Sequence, residues 1–319
     1  MMLPSRLRLA DDPRNGPVIL RRDLLAQGHN DRSISKLLRD GMIVRVRHGA
    51  YVAADVWNAL DESGRYGLLS RAVLRQANTP VVLSHASGLP EFGAPTWGFD
   101  LRDAHVTRTD GLPGRREAGV RQHRGLLRPG DLLVVNDVPV MQPARIALEC
   151  TTLGNAEASL GVCNFLLHEG LVTMDQLRSQ LVEMETWPNS RPAEIVLRLA
   201  DARIESVGES RTLWCCFQQS LPMPIPQFEV RDGAGRLIGR VDFAWPDLGA
   251  FLEFDGLVKY EKLLRPGERP SDVVVREKER EQQICSLTGW RCVRITWADL
   301  AHPQLLAQKI RAVLFPRAA

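Results

Sequence analysis

Asp242, Glu253 and Asp255 are three carboxylates set in an otherwise largely apolar stretch, GRVDFAWPDLGAFLEFDG, residues 239–256. Residues 240–245 and 250–255 carry β-favouring side chains, and Pro246, Asp247, Leu248 and Gly249 supply a turn between them, so the segment reads as a hairpin. Side chains alternate along a strand, which puts Arg240, Asp242 and Ala244 on one face and, on the second strand, Phe251, Glu253 and Asp255 on one face. A four-residue connection sets Asp242 opposite Glu253, with Cβ atoms on the order of 5 Å apart. Like charges opposed in a sheet destabilise it, and a divalent cation of the Mg²⁺ type held by Asp242 and Glu253 relieves them. Ordinary ion pairs are the alternative: Asp242 with Arg240 or Arg294, and Glu253 with Lys259.

The flanking elements would have to position these groups. Residues 206–220 read as a helix with Leu213, Trp214, Cys216 and Phe217 on its apolar side. Ser206-Val207-Gly208-Glu209 fits a capping box in which Glu209 reaches back to the Ser206 amide. A strand follows over 227–230, then a turn at 232–235, then the hairpin. Residues 272–288 read as a long helix on which Val273, Glu277, Arg280, Ile284 and Leu287 share the stripe that meets the sheet. Arg280 is then either an ion-pair partner or a contact for a substrate phosphate. Residues 259–271 (KYEKLLRPGERPS) read as a cationic loop, and 290–297 as a last strand.

The order helix, three strands, helix, strand resembles the PD-(D/E)XK nuclease superfamily, closest to its very-short-patch-repair-like endonuclease branch. The matching residues are Glu209, Asp242, the Glu253-Phe254-Asp255-Gly256 run, the helix containing Arg280, and Gly289-Trp290-Arg291. The resemblance covers about the last third of the chain. It implies a restriction-endonuclease-like αβββαβ domain and cleavage of phosphodiesters with Mg²⁺ or Mn²⁺. In that reading Asp242 and Glu253 hold the metal, Asp255 belongs to the catalytic group, Lys259 assists the attacking water and Glu209 is an outer ligand. Asp255 stands where the general pattern has lysine, and Lys259 where the branch tends to have histidine.

The N-terminus carries a second pattern. Residues 19–27 read as a short helix ended by Gly28, and Asn30 as the N-cap of a helix over 31–40 with Ile34, Leu37 and Leu38 as its apolar stripe. Arg32, Ser35, Lys36 and Arg39 form its outer face. Residues 42–52 (MIVRVRHGAYV) alternate apolar and basic residues around a turn at His48-Gly49. Helix, turn, helix and basic hairpin make a winged helix-turn-helix, with Arg32, Lys36 and Arg39 directed at the major groove of double-stranded DNA and Arg45, Arg47 and His48 at backbone or minor groove. Residues 1–56 contain ten Lys and Arg against six Asp and Glu, a local +4, whereas the whole chain nets +3. The basic excess therefore sits where DNA contact is expected. This region, from Leu24-Leu25-Ala26-Gln27-Gly28 through Arg45-Val46-Arg47-His48-Gly49-Ala50-Tyr51 and more loosely to about Glu149, resembles the abortive-infection type IV antitoxin proteins. That resemblance implies operator binding and autoregulation.

The remaining composition sets bounds. A chain of 319 residues holds several domains and a full core. The expected organisation is α+β and multidomain: a winged helix-turn-helix (1–56), a mixed α/β middle region (57–150), an acidic helical connector (151–204) and the endonuclease-like domain (205–319). The six cysteines show no C-x-x-C spacing, and His85, His105 and His123 show no metal-ligand spacing, so both groups read as ordinary parts of the fold. No apolar run has the length of a signal peptide or membrane span, which suits a cytoplasmic protein. Two functions from different classes stay open: a DNA-targeted, metal-dependent endonuclease, and a regulator or antitoxin-like protein whose nuclease-like domain is catalytically silent and which has a toxin or other protein partner.

Overall fold

The computed structural model describes residues 7–9, 11–117, 119–256 and 270–316, except for the side chains of 270–277. Among these described residues it is an α+β structure with three sheets of three, four and six strands. The chain divides into two compact units, Met1–Arg198 and Leu199–Ala319.

In the first unit, β1 (Ile19–Leu20) leads directly into α1 (Arg21–Ala26), and α2 (Asp31–Arg39) follows. Asn30 caps α2 by accepting from the Ser33 amide at 3.0 Å. The hairpin β2 (Ile43–Arg47) and β3 (Ala50–Ala53) turns at Gly49, whose φ of +72° is the left-handed conformation that glycine adopts without steric cost. These strands form the sheet β1-β3-β2. Leu24, Ile34, Ile43 and Tyr51 pack together beneath the helices, with Leu37 and Leu38 alongside. Two helices follow, α3 (Ala54–Asn58) and α4 (Glu62–Gln76). Leu60 is drawn into the core between them, and Asp61 restarts the helix by accepting from the Gly64 amide at 2.8 Å.

Next come β4 (Val81–Leu83), a 3₁₀ segment at His85–Phe92, and β5 (Ala104–Arg108), β6 (Arg116–Glu117), β7 (Val120–Arg124), β8 (Leu132–Val135) and β9 (Val138–Met141). They form one sheet in the order β6-β7-β5-β4-β9-β8, in which β5 and β7 run parallel. The helix α5 (Pro143–Thr151), which the sequence reading did not single out, is buried along its whole length. Against it pack α6 (Ala156–His168) and α7 (Met174–Glu183), from the segment expected to be a connector. The last helix of this region is α8 (Arg191–Leu199).

In the second unit, α9 (Val207–Gln218) precedes β10 (Ile225–Arg231), β11 (Leu237–Trp245) and β12 (Ala250–Asp255); then come α10 (Pro270–Thr288), β13 (Arg291–Thr296), α11 (Trp297–Leu300) and α12 (Pro303–Leu314). The sheet order is β10-β11-β12-β13, antiparallel except for the parallel pair β12–β13. Val230, Val241, Ala244, Phe251 and Ile284 form a core, with Cys285 and Trp290 packed against it. Among the described residues no helix is long and apolar enough to cross a membrane.

Candidate functional site

Asp242 lies where the β11–β12 ladder opens. Phe243 pairs with Leu252, Ala244 with Phe251 and Trp245 with Ala250, and the pairing stops there. The same register carried one step further would set Asp242 against Glu253, as the hairpin reading requires, but Asp242 instead turns its Oδ2 to the Phe254 amide at 2.7 Å. On the other side, Pro226 pairs with Phe243 and Phe228 with Val241, while Gln227 between them takes a φ of +51°. Both ladders are thus interrupted around Asp242. A charged side chain in a mostly buried strand, 7% exposed, takes hydrogen bonds that a regular ladder would otherwise use.

Glu209, 1% exposed, comes to this region from the first turn of α9. Its Oε1 accepts from Ser206 Oγ at 2.7 Å, and its Oε2 from the Glu205 amide at 3.1 Å and Gln227 Nε2 at 2.8 Å. The expected capping box is therefore altered: Ser206 does cap the Glu209 amide, at 3.1 Å, but Glu209 reaches past Ser206 to the preceding amide. Burial first, and then the charge of Asp242, push the Glu209 carboxyl above its ordinary range. Gly208 permits this approach, because a Cβ there would lie 2.2 Å from the Phe254 ring. Any side chain at 208 would lever α9 off β12.

The other carboxylates are matched to arginines. Arg280 Nη2 donates to Glu253 Oε1 at 2.9 Å, and Arg294 lies 3.8 Å from Asp255 and forms a closer ion pair with Glu281. These pairings differ from those the sequence suggested, where Arg240 or Arg294 was matched with Asp242 and Lys259 with Glu253. Arg240 binds Glu205 at 2.7 Å instead of Asp242. Arg280, expected to meet phosphate or an acidic neighbour, is engaged with Glu253, while its buried Nε has no partner among the described residues. Leu287 leaves the expected stripe and is 56% exposed; the helix turns instead so that Ile284 and Cys285 meet the sheet. Lys259 lies outside the described residues, as do the side chains of Val273 and Glu277.

In the first unit Arg32, Lys36, Arg39 and Arg45 are exposed. Arg47 departs from them. The β2–β3 pairing shifts between Arg45 and Arg47, so two successive residues oppose the space of one and the alternation that would align the two arginines is broken. Val46 turns into the core, and Arg47 is half-buried in a recess of about 110 Å³ shared with Gln76, Glu117 and Gln122.

The fold also gathers residues that the sequence left scattered. His105 and His123 lie on the paired strands β5 and β7, and His85 begins the 3₁₀ segment after β4. Their ligand nitrogens all lie within 4.8 Å of one another. The signal was present only as a pattern across strands: His105-x-Thr107 runs beside Arg121-x-His123 in parallel, which places all four side chains on one face. Burial keeps the cluster neutral, pushing His105 down to about 4, His123 to about 3 and His85 well below the usual range.

No protein-family model matches the chain. Two mycobacterial proteins, MT2308 of Mycobacterium tuberculosis strain CDC 1551 and Rv2248 of strain H37Rv, are each 26% identical to it over 277 residues, spanning 86% of this chain and 93% of theirs. Among solved structures, the chain is similar to the RV2827C protein of Mycobacterium tuberculosis, with a TM-score of 0.36 and 17% identity over 57% of this chain and 71% of that one.

Proposed function

We propose that the chain is a DNA-directed, divalent-metal-dependent endonuclease, with a winged helix-turn-helix at its N-terminus and a PD-(D/E)XK-type domain at its C-terminus. The observation that carries this reading is the meeting of two buried carboxylates, Asp242 and Glu209, where the β11–β12 ladder opens; burial first, and then the charge of Asp242, raise the Glu209 pKa. A buried carboxyl beside a second acidic group is what a cation stabilises. Their donors are hard carboxylate oxygens, which fit Mg²⁺ or Mn²⁺ better than a softer metal. The arrangement of α9, the β10-β11-β12 meander, α10 and the parallel strand β13 agrees with the αβββαβ order that the resemblance implies.

In this reading Asp242 and Glu253 hold the ion and Glu209 stands behind them. Bound there, the ion supplies Lewis acidity that offsets charge developing on a phosphodiester. The chain's own groups fix the geometry: the Phe254 amide orients Asp242, Arg280 orients Glu253, and Ser206 with Gln227 orients Glu209. Lys259 follows Gly256 by three residues and is assigned to the attacking water, and Asp255 to the edge of the same group. Arg32, Lys36, Arg39 and Arg45 would bring duplex DNA to this cytoplasmic protein through phosphate contacts.

A second reading rests on the ion pairs. Arg280 already matches Glu253 and Arg294 lies near Asp255, which suits a silent nuclease fold carried by a DNA-binding regulator with a protein partner. Supercoiled plasmid incubated with the full chain and Mg²⁺ or Mn²⁺, beside Asp242→Asn, separates the two. Metal-dependent nicking by the wild type, lost in the variant, supports the enzyme. If single- and double-stranded DNA and RNA all stay intact and calorimetry detects no Mg²⁺ or Mn²⁺ binding, the regulator reading replaces it.

A further inference from the structure

We propose that His85, His105 and His123 form a three-histidine Zn²⁺ site in the first unit, with an exchangeable position open to an arginine-lined cavity that takes an anion. The site is independent of the carboxylates of the second unit and of the endonuclease reading. Three features of the molecule carry it: the convergence of the rings, the groups that hold them, and the cavity they face.

The convergence comes from the backbone. β5 and β7 run parallel with His105 beside Arg121 and Thr107 beside His123, so the two imidazoles project from the same face, one pair apart. His105 Nδ1 lies 3.0 Å from His123 Nε2. Two nitrogens on one tetrahedral Zn²⁺ at bond lengths of 2.0–2.1 Å sit about 3.3 Å apart. The pair therefore already has nearly the spacing of two ligands of one ion. His85 stacks on His123 with ring centroids 3.7 Å apart. Its nitrogen lies within 4.8 Å of the other two, so loading contracts the triad by up to about 1.5 Å and rotates the stacked rings until their in-plane lone pairs converge. His85 is held there with φ at +49°, a left-handed conformation that a non-glycine residue adopts at a cost and that recurs at functional positions.

The outer groups resemble those that orient metal-bound imidazoles. His85 Nδ1 faces Ser84 Oγ at 3.0 Å and Glu149 Oε2 at 3.5 Å, and Glu149 also accepts the His85 amide at 3.0 Å. Arg145 fixes Glu149 from the far side at 2.9 Å and pairs with Asp131 as well. A carboxylate behind a histidine selects its tautomer and raises its basicity toward a metal. Imidazoles that burial keeps neutral each offer one lone pair; of the two nitrogens 3.0 Å apart one carries the shared proton, and loading requires that ring to take its proton on the other nitrogen.

His85 and His123 line a cavity of about 430 Å³ whose wall also carries Arg121, Arg124, Thr107 and Asn189. Three protein ligands with a fourth side open to such a space are the pattern of exchangeable zinc sites, whereas structural sites close all four positions. Arg121 and Arg124 set the preference of that opening for an anion. Arg145 lies behind this wall: its buried Nη2 has no hydrogen-bond partner among the described residues, and a Cβ at Gly125, which lines the cavity, would lie 2.6 Å from it.

Calorimetry with ZnCl₂ on the full chain should give one tight Zn²⁺ per molecule. Losing ligands should cost at least the roughly 10–100-fold associated with losing an outer-shell partner, so His105→Gln/His123→Asn should bind about 100-fold more weakly or not at all. Asp242→Asn/Glu253→Gln should bind as wild type does. Equal affinity in the histidine variant, or no stoichiometric binding by folded wild type, overturns the site. Should the histidine variant fail to fold, zinc-edge X-ray absorption on the wild type decides the matter: three imidazoles are expected, and an oxygen-only or single-imidazole shell refutes it. Inorganic phosphate added to the Co²⁺-loaded chain should shift its visible bands; unchanged bands overturn the open, anion-accepting position.

Discussion

In the second unit charges gather and are then matched: Glu253 meets Arg280, Asp255 lies near Arg294, and buried Glu209 stays close to Asp242. In the first unit the converging groups are imidazoles that burial keeps uncharged, while the strong ion pairs, Arg145 with Glu149 and Asp131, stand one layer behind them. On the two proposals above, the regions would take different cations. Carboxylates that repel one another favour a hard ion that arrives with water still bound, and neutral nitrogens favour a borderline ion that sheds it. The difference also lies in what each would lose on substitution. An acid at the first site relieves repulsion when removed, whereas a charge behind the second leaves buried partners unmatched.

The largest expected effect is on cleavage. Asp242→Asn and Glu253→Gln keep shape and hydrogen-bonding capacity but remove the charge that holds a divalent ion, so each should lower a plasmid-nicking rate by about 10³-fold or more. Duplex affinity, measured by fluorescence anisotropy, should stay within about twofold of wild type. A variant that still nicks at more than a tenth of the wild-type rate would remove the carboxylates from the chemistry.

Next in size is the charge behind the histidines. Arg145 is 2% exposed, and replacing it with Met strands Glu149 and Asp131 in the interior. Breaking a buried pair from one side costs about 3–5 kcal/mol. Arg280→Met, at a side chain 37% exposed, should cost about 1 kcal/mol or less. Urea melts of both variants read the contrast directly, and equal midpoints would mean that the layer behind the histidines is not stabilising.

The hairpin was legible in sequence because its parts are local. Asp242 and Glu253 are joined by one short turn, and alternation with Pro246 and Gly249 marks both strands and their connection. Asn30 and Ser206 likewise announced helix starts by a rule that spans three residues. The histidines depend on the parallel alignment of β5 with β7 and on the placement of β4, which no local pattern encodes. The bulge that turns Arg47 inward was equally hidden, since alternation extrapolates a regular strand. The ion pairs of Arg280 and Arg294 required the rotation of α10 to be known, and Leu287 had suggested a different face.

The basic face of the first unit gives a smaller, graded effect. Arg32→Ala/Lys36→Ala/Arg39→Ala should weaken duplex binding and flatten its log–log salt dependence by about one unit per lost phosphate contact, roughly three in all. Arg47→Ala should change the slope by well under one unit, because that side chain is turned into the recess beside Glu117. If Arg47→Ala flattens the slope as much as Arg39→Ala does, the bulge does not withdraw it from DNA in solution.

The last contrast concerns pH, where the two regions should differ in sign. With EDTA present, Glu209 has a folded pKa raised above its unfolded value, chiefly by burial and then by Asp242. Its contribution to stability is therefore fully present below the unfolded pKa and declines as pH rises through the folded one. Glu209→Gln removes the charge and keeps one acceptor oxygen, either for Ser206 Oγ or for the Glu205 amide with Gln227. The variant should match wild type in acid and exceed it in stability at neutral pH, where the buried charge is relieved. The histidines run the other way. Their folded pKa values, about 4 for His105 and about 3 for His123, lie below the unfolded value, so their contribution is present above about 6.5 and is lost as pH falls through the folded values. Chemical denaturation in EDTA at steps between pH 4.5 and 8 should thus show Glu209→Gln gaining on wild type as pH rises. His123→Asn, relative to wild type, should lose its disadvantage as pH falls below 6.5. Parallel curves for both variants would mean that neither group changes its proton affinity on folding, and the contrast between an acid-rich site and a neutral nitrogen site would fail.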